Sequence, residues 1–404
     1  MHGFRHFLPI LLLCTTTAHA TVLLEDQFSG EFDTTKWEVK AWNSDGSTYL
    51  DGTQLRCFPY EPPVGNGFLD LTFSTYNPTA TNKGDSFYGS QIISRQQYGL
   101  TSGSTTIFTC RGRILPPAGE TEVPSGIVAS MFLYNRVTSQ TRDEIDVELL
   151  TKAQPEGSGF FTNSFVLDNY EQPGKCRFVT VEDYDVSDFH EYTIYWTDQS
   201  IEWFIDGQLV RREMDYIPTH DMKLYFNVWA PLYGGFARAK DSSLHPATTP
   251  GQNQDTVWQL DRVRVETFDI YDLNRDGDIA SEDLGLVLAN WGRSGLVATE
   301  DGDVNLDGRI NSKDFRSFLS THPESIPELD ADSMVYGPAP TRLHEPVVIL
   351  PLIDPDAFND CYTTSSPASI RFTMSQSVPE PTVLVLSLSS FVAVIFFFFF
   401  KKRT

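Results

Sequence analysis

Between residues 21 and 267 the chain repeats one pattern, short runs of aromatic and β-branched residues in alternation, separated by clusters of Gly, Pro, Asn and Asp. Phe68-Leu69-Asp70-Leu71-Thr72-Phe73, Tyr192-Thr193-Ile194-Tyr195-Trp196, Ile201-Glu202-Trp203-Phe204-Ile205 and Leu224-Tyr225-Phe226-Asn227-Val228-Trp229 are examples. A period of two sends successive side chains to opposite faces of a strand, and many short strands at this spacing build two packed sheets or a barrel. Asp206-Gly207, between two of the runs, is a hairpin signal because both residues tolerate positive φ. No helical periodicity of useful length precedes residue 280. The expectation is an all-β domain over residues 21–267, a two-sheet β-sandwich or a barrel.

One run carries chemistry. In Asp143-Glu144-Ile145-Asp146-Val147-Glu148-Leu149-Leu150 acids alternate with apolar residues. On a strand, Glu144, Asp146 and Glu148 line one face while Ile145, Val147 and Leu149 enter the core. The outer Cα atoms then lie ~13 Å apart, and two glutamates leaning toward each other leave roughly 5 Å between carboxyls, the spacing of a retaining glycosidase. Three adjacent acids repel one another, so at least one holds its proton unusually tightly. Retaining chemistry requires that division: one ionised nucleophile and one protonated acid.

The run resembles the catalytic strand of glycoside hydrolase family 16, in the unbulged Glu-x-Asp-x-Glu form of lichenases and xyloglucan-acting members. The resemblance extends in order over about 245 residues: Phe28 to Trp37, Tyr88 to Arg95, Asp188 to Tyr192 leading to Trp196, Trp203 to Gly207, Asn227-Val228-Trp229, and Leu260 to Val265. It implies a two-sheet jelly-roll β-sandwich, with Glu144 as nucleophile, Asp146 as the residue that orients it, and Glu148 as general acid and then base. It also implies Arg95, Asn163, Asn227 and Trp229 as sugar contacts, and Asp261 as a position associated with structural calcium. His190 is expected to be structural. Two departures touch the cleft: Arg142 stands where an aromatic is common, and no further tryptophan follows Trp229 within Ala230 to Phe236. The activity implied is a retaining endo-β-glucanase acting on a β-1,3-1,4- or related glucan. Hydrolysis or transglycosylation of xyloglucan or β-1,3-glucan is an alternative, and a noncatalytic glycan-binding jelly roll is another, opposed by the three intact carboxyls.

A second unit is expected over residues 268–321. Asp272, Asn274, Asp276, Asp278 and Asp283 recur 31 residues later as Asp303, Asn305, Asp307, Arg309 and Asp314, with Gly277 and Gly308 at the sixth position of each loop. That spacing supplies oxygen ligands and a sharp turn for Ca2+. Each loop leads into an apolar helical run, so the unit is a small α-helical, EF-hand-like calcium domain. It resembles type I dockerin modules, which implies two Ca2+ ions and a cohesin-like protein partner.

The ends are expected to address the chain. Residues 1–20 combine a basic start, an apolar run and Ala18-His19-Ala20, the marks of a cleaved signal peptide. Residues 322–377 read as a linker rich in Pro, Ser and Asp. Residues 378–404 join Val378-Pro379-Glu380-Pro381 to an apolar stretch and Lys401-Lys402-Arg403. The stretch is long enough, as a helix, to cross a bilayer with its cationic end inside. This tail resembles PEP-CTERM sorting signals, which implies an exosortase-type processing enzyme and an exported chain, membrane-anchored or released. Four cysteines, Cys57, Cys110, Cys176 and Cys361, remain beyond the signal and permit two disulfides in three connectivities, or free thiols. A formal charge of −24 excludes nucleic acid as a partner and is compatible with a neutral polysaccharide.

Overall fold

The computed structural model describes residues 21–39, 53–54, 61–80, 86–136, 142–167, 175–233, 236–323, 382–388 and 391–397. The alternating runs form two sheets. The larger follows the order Gln208–Glu213, Ile201–Ile205, His190–Trp196, Ser104–Leu115, Asp255–Asp269, Phe68–Ser74, Phe87–Tyr88 and Thr53–Gln54. The second, which carries the acids, follows Arg177–Thr180, Gly159–Leu167, Arg142–Leu150, Val128–Arg136, Met222–Trp229, Ser90–Tyr98 and Trp37–Val39, with every neighbouring pair antiparallel. Asp206 and Gly207 join two strands at φ 49° and 77°, the left-handed pair that matches strand twist.

Between the sheets lies one apolar core that contains Trp37, Trp196, Trp203 and Trp258 together with Phe108, Ile145, Val147 and Leu149. Trp203 also crosses it with a polar contact, its indole N–H donating to the Asp146 carbonyl at 3.0 Å. Two-faced strands thus become a sandwich with one open polar sheet, as the alternation requires.

Residues 270–321 add helices Ser281–Ala289 and Ser312–Thr321 around a separate core of Leu273, Leu284, Val287, Val297, Val304, Ile310 and Phe318. Both helices begin a turn before the apolar runs of the sequence. The reason is that Asp283 and Asp314 are the third helical residues and accept the cap N–H groups of Ala280 and Asn311, both at 2.8 Å.

The boundary at 267/268 falls inside a strand. Asp255–Asp269 runs across it, still paired to Ser104, and Phe268 packs with Ile107, Tyr195, Phe204 and Ala298. An ionic bridge seals the contact: Arg212 donates to buried Glu202 at 2.7 Å and to buried Asp303 at 2.7 Å, while Thr299 Oγ1 donates to Glu202 at 3.0 Å. The helical unit is docked on the larger sheet, not hung from it.

Two further expectations change. Cys110 is a free thiol, fully buried on the inward face of its strand, so two disulfides among the four cysteines are ruled out. Cys176 is disulfide-bonded, and Cys57 and Cys361 lie outside the described residues. In the tail, Thr382–Leu388 and Phe391–Phe397 pair as antiparallel strands where one helix was expected. Both segments are dense in β-branched and aromatic residues, which favour a pleated backbone. Among the described residues no helix is long and apolar enough to cross a membrane. The signal segment 1–20 and most of the linker 322–377 lie outside the described residues.

Replacing Arg212 with Met strands two buried carboxylates, and breaking a buried pair in this way costs about 3–5 kcal/mol. The expected outcome is a matching fall in unfolding free energy of the full chain in chemical denaturation, with both units lost together. An unchanged midpoint contradicts it.

Candidate active site

The strand Arg142–Leu150 lies between Gly159–Leu167 and Val128–Arg136, in continuous register with both. Ile145, Val147 and Leu149 are buried in the core at 0–1% exposure, which fixes Glu144, Asp146 and Glu148 on the opposite, open face. The rows of neighbours across that face follow from the register. Glu144 lies between Tyr134 and Phe165, Asp146 between Phe132 and Asn163, and Glu148 between Ser130 and Phe161. The Met222–Trp229 strand continues the rows, placing Tyr225 beside Phe132 and Asn227 beside Ser130. Gln91 follows next to Asn227.

Electrostatics divides the three acids. All three carboxyls are pushed upward, chiefly by burial in the cleft floor. Arg142, with Nε 3.5 Å from Glu144 Oε2, opposes the rise at Glu144. Asp146 is raised well above the ordinary range, by burial and then by the charges of Glu144 and Glu148, against a hydrogen bond from Asn163 Nδ2 at 2.9 Å and then the charge of Arg142. Glu148 is pushed up to about 8 by burial and then by Glu144, a value that keeps its proton at neutral pH. The site therefore sets Glu144 beside a cation and a protonated Glu148 carboxyl two strand positions beyond Asp146.

The sugar contacts expected from the sequence are distributed unevenly. Asn163 and Asn227 lie in the floor, at 8% and 2% exposure, and the Oδ1 of each has no hydrogen-bond partner within the protein. Such unmet acceptors suit a polar ligand. Trp229 is 5% exposed and packs with Val128, Leu150, Phe161 and Phe236, so most of its surface serves packing. Arg95 sits near the sheet edge, where its side chain donates to the Thr34 carbonyl and its backbone N–H to Lys36. His190 bonds Asp206 at 2.7 Å and the Asp185 carbonyl at 3.1 Å, a structural arrangement.

Sequence reasoning passed over Ser130, Phe132, Tyr134 and Tyr225. Phe132 and Tyr225 stack at 4.8 Å, with Tyr134 edge-on to Tyr225 at 5.9 Å, and Ser130 Oγ is buried without a hydrogen-bond partner. The signal for the first three was the alternation in Val128–Arg136, which puts positions 130, 132 and 134 on one face.

The two acidic loops share their main backbone-to-carboxylate bonds. Gly277 and Gly308, at φ 94° and 75°, donate to Asp272 and Asp303 at 3.0 and 3.1 Å. Asn274 and Asn305 donate through their backbones to Asp283 and Asp314 at 3.0 and 3.3 Å. Asp272 and Asp303 each keep a buried Oδ1 without a hydrogen-bond partner. In the second loop, carboxylate oxygens of Asp303, Asp307 and Asp314 lie within 4.8 Å of one another. Inward-turned acceptors of this kind fit a hard cation. Asp276 is exposed and bonded by Asn274 Nδ2 at 2.9 Å, while Asp278 and Arg309 occupy the seventh positions, where the backbone carbonyl is the ligand. Asp261 pairs through Oδ2 with Arg111, and its Oδ1, like those of Asp272 and Asp303, is buried without a hydrogen-bond partner.

The Glu148 assignment predicts a titration. A carboxyl raised to about 8 stays protonated across neutral pH and ionises only above it. Since the Glu144 charge contributes to that rise, Glu144→Gln is expected to lower the Glu148 midpoint, read by carbon-13 NMR of labelled glutamate. A midpoint near the ordinary carboxyl range in the unmodified protein contradicts the assignment.

Residues 86–259 match the model of "Glycosyl hydrolases family 16". The chain is 35% identical over 107 residues to the beta-glucanase of Bacillus subtilis (strain 168), across 26% of this chain and 41% of that protein. It is 29% identical over 175 residues to the beta-glucanase of Paenibacillus macerans, across 40% of this chain and 66% of that one. The match thus spans less than half of the Bacillus subtilis relative's length. Among solved structures, a beta-1,3-1,4-glucanase (lichenase) from a mouse hindgut metagenome is 22% identical, with 60% of this chain and 97% of that chain covered and a TM-score of 0.45. The acidic strand Arg142–Leu150 lies inside the segment that matches this family model.

Proposed function

We propose that the protein is a retaining endo-β-glucanase that cleaves a β-1,3-1,4-glucan or a close relative. The observation that carries this reading is the row of three carboxyls on one strand face, with Glu144 beside a cation and Glu148 raised to about 8. In the first step a Glu144 oxygen attacks the anomeric carbon, the bond to the leaving sugar oxygen breaks, and Glu148 gives that oxygen its proton. In the second, Glu148 takes a proton from water, whose oxygen displaces Glu144 and restores the free enzyme. Asp146, held by Asn163 at 2.9 Å and by strand pairing on both sides, orients Glu144. The aromatic row Tyr134, Phe132 and Tyr225 gives sugar rings an apolar floor, and Ser130, Asn163 and Asn227 offer polar contacts. A lectin has no need of three clustered acids whose mutual repulsion costs stability.

The acidic loops are read as two calcium sites. Asp272, Asn274, Asp276 and Asp283 would hold one ion, and Asp303, Asn305, Asp307 and Asp314 the other, with backbone carbonyls of Asp278 and Arg309. The ion supplies positive charge to clustered carboxylates. The buried, unpartnered oxygens of Asp272 and Asp303 support this reading. Export to the cell envelope is proposed from the two ends of the sequence alone.

Reducing-sugar release from mixed-linkage glucan, laminarin and xyloglucan tests the activity, with mixed-linkage glucan expected to be cleaved internally and fastest. Glu144→Ala is expected to lose essentially all hydrolysis and to recover turnover with azide, giving an α-azide, whereas Glu148→Ala gives a β-azide. Proton NMR of the adducts decides, and inversion by the unmodified enzyme excludes the double displacement. Calcium at about 100 times its dissociation constant is expected to stabilise the folded chain by about 2.7 kcal/mol, seen as a rise in melting temperature. No rise, in protein first stripped with chelator, contradicts the calcium sites.

A further inference from the structure

The carboxylate strand is nearly symmetrical about Asp146. Glu144 and Glu148 each lie two residues away, on the same face and half-buried in the same cleft floor. Burial raises both carboxyls, so it does not choose between them. A double displacement needs the choice made before substrate arrives, because two anions leave no proton donor and two neutral acids leave no nucleophile.

Arg142 breaks the symmetry. It occupies the next position on the same face, and its Nε lies 3.5 Å from Glu144 Oε2. Its guanidinium lies over the Phe165 ring at 4.4 Å, and Phe165 stands directly across from Glu144 in the neighbouring strand. The ring is therefore a platform that folds the arginine back along its own strand toward the glutamate. Contact between a planar cation and an aromatic face is itself favourable, which limits the drift of a long side chain.

The other groups around Glu144 do not substitute for it. Its own strand adds the acids Asp146 and Glu148. The Val128–Arg136 strand adds Tyr134 beside Glu144 and Arg136 beside Arg142. The Gly159–Leu167 strand faces it with Phe165 and, one row away, Asn163. From Met222–Trp229 come Tyr225 and Lys223, the latter paired with Glu38 of Trp37–Val39 at 2.9 Å. Among the described residues, Arg142 is the cation in ion-pair contact with Glu144.

We propose that Arg142 is a positioning residue: held on the face of Phe165, its guanidinium makes Glu144 the anion of the pair and leaves the proton to Glu148. This inference rests on the double displacement proposed above. It also gives the arginine a role that an aromatic at the same place could not fill, since no aromatic side chain carries a fixed positive charge.

The test compares Arg142→Met, Arg142→Lys and Phe165→Leu with the unmodified full chain. Two readouts are taken: kcat/KM against pH on soluble mixed-linkage β-glucan, and carbon-13 titration of labelled glutamate carboxyls, assigned with Glu144→Gln and Glu148→Gln. Without the charge, Glu144 ionises at higher pH, so the acidic limb moves up the pH scale. For Arg142→Met the loss in kcat/KM is expected to be about tenfold larger at pH 5 than at pH 7, a tenfold change being the consequence of about 1.4 kcal/mol. Arg142→Lys restores most of the acidic limb, and Phe165→Leu, which keeps the cation but removes its platform, falls between. The Glu144 resonance is expected to follow the same order.

An acidic limb and a Glu144 titration unmoved in Arg142→Met overturn the proposal, as does an equal loss at every pH in Arg142→Met and Arg142→Lys, which would mean packing alone. If Arg142→Met fails to fold, the Lys and Leu variants carry the comparison, and both matching the unmodified protein at pH 5 overturns it. An unmodified chain that cleaves no β-glucan removes the enzymatic reading instead, and the Glu144 titration then decides the role of Arg142 by itself.

Discussion

Burial of Ile145, Val147 and Leu149 holds together three carboxyls that would otherwise drive their strand apart. At about 1.5–3 kcal/mol for each fully buried aliphatic side chain, the inward face of the strand contributes several kcal/mol. Pairing on both sides adds hydrogen bonds that a slipped register would lose. A slip of one residue would bury the acids and expose the aliphatics, so register and chemistry are a single constraint. Trp203 strengthens it from the opposite sheet by holding the Asp146 carbonyl through the core.

That constraint makes the cleft floor polar at a cost. Asn163 satisfies one oxygen of Asp146, but the Oδ1 atoms of Asn163 and Asn227 and the hydroxyl of Ser130 are buried without protein partners. A sheet built only for stability would fill such positions with apolar residues or pair them. Unmet hydrogen bonds beside perturbed carboxyls are a binding site's signature, and here they cluster within two rows of the same sheet.

On the far side of the sandwich the helical unit is held by a different balance. Glu202, Arg212 and Asp303 are buried side chains whose removal from water is offset in large part by one another. Arg211, the next residue, faces inward and lies over the Trp203 ring at 4.5 Å, bonded to Thr162 at 2.9 Å. One strand thus touches the acidic loop with one arginine and the support of the carboxylate strand with the other. The arrangement joins two units that the sequence divides.

Sequence by itself determined what depends on local period and spacing. Alternation fixed the strand-rich character and the outward face of the acids, and twelve-residue spacing fixed the repeated loops, down to the left-handed glycines at their sixth positions. Tertiary structure decided what depends on neighbours far away in the chain. The pairing of Val128–Arg136 with the acidic strand brought Ser130, Phe132 and Tyr134 to the site, and packing against Phe236 drew Trp229 largely inside. Burial of Cys110 removed it from any disulfide, and docking against Phe204 and Tyr195 erased the expected boundary at 267/268. In each case the deciding quantity is burial or a contact between residues distant in sequence, and no local pattern encodes either.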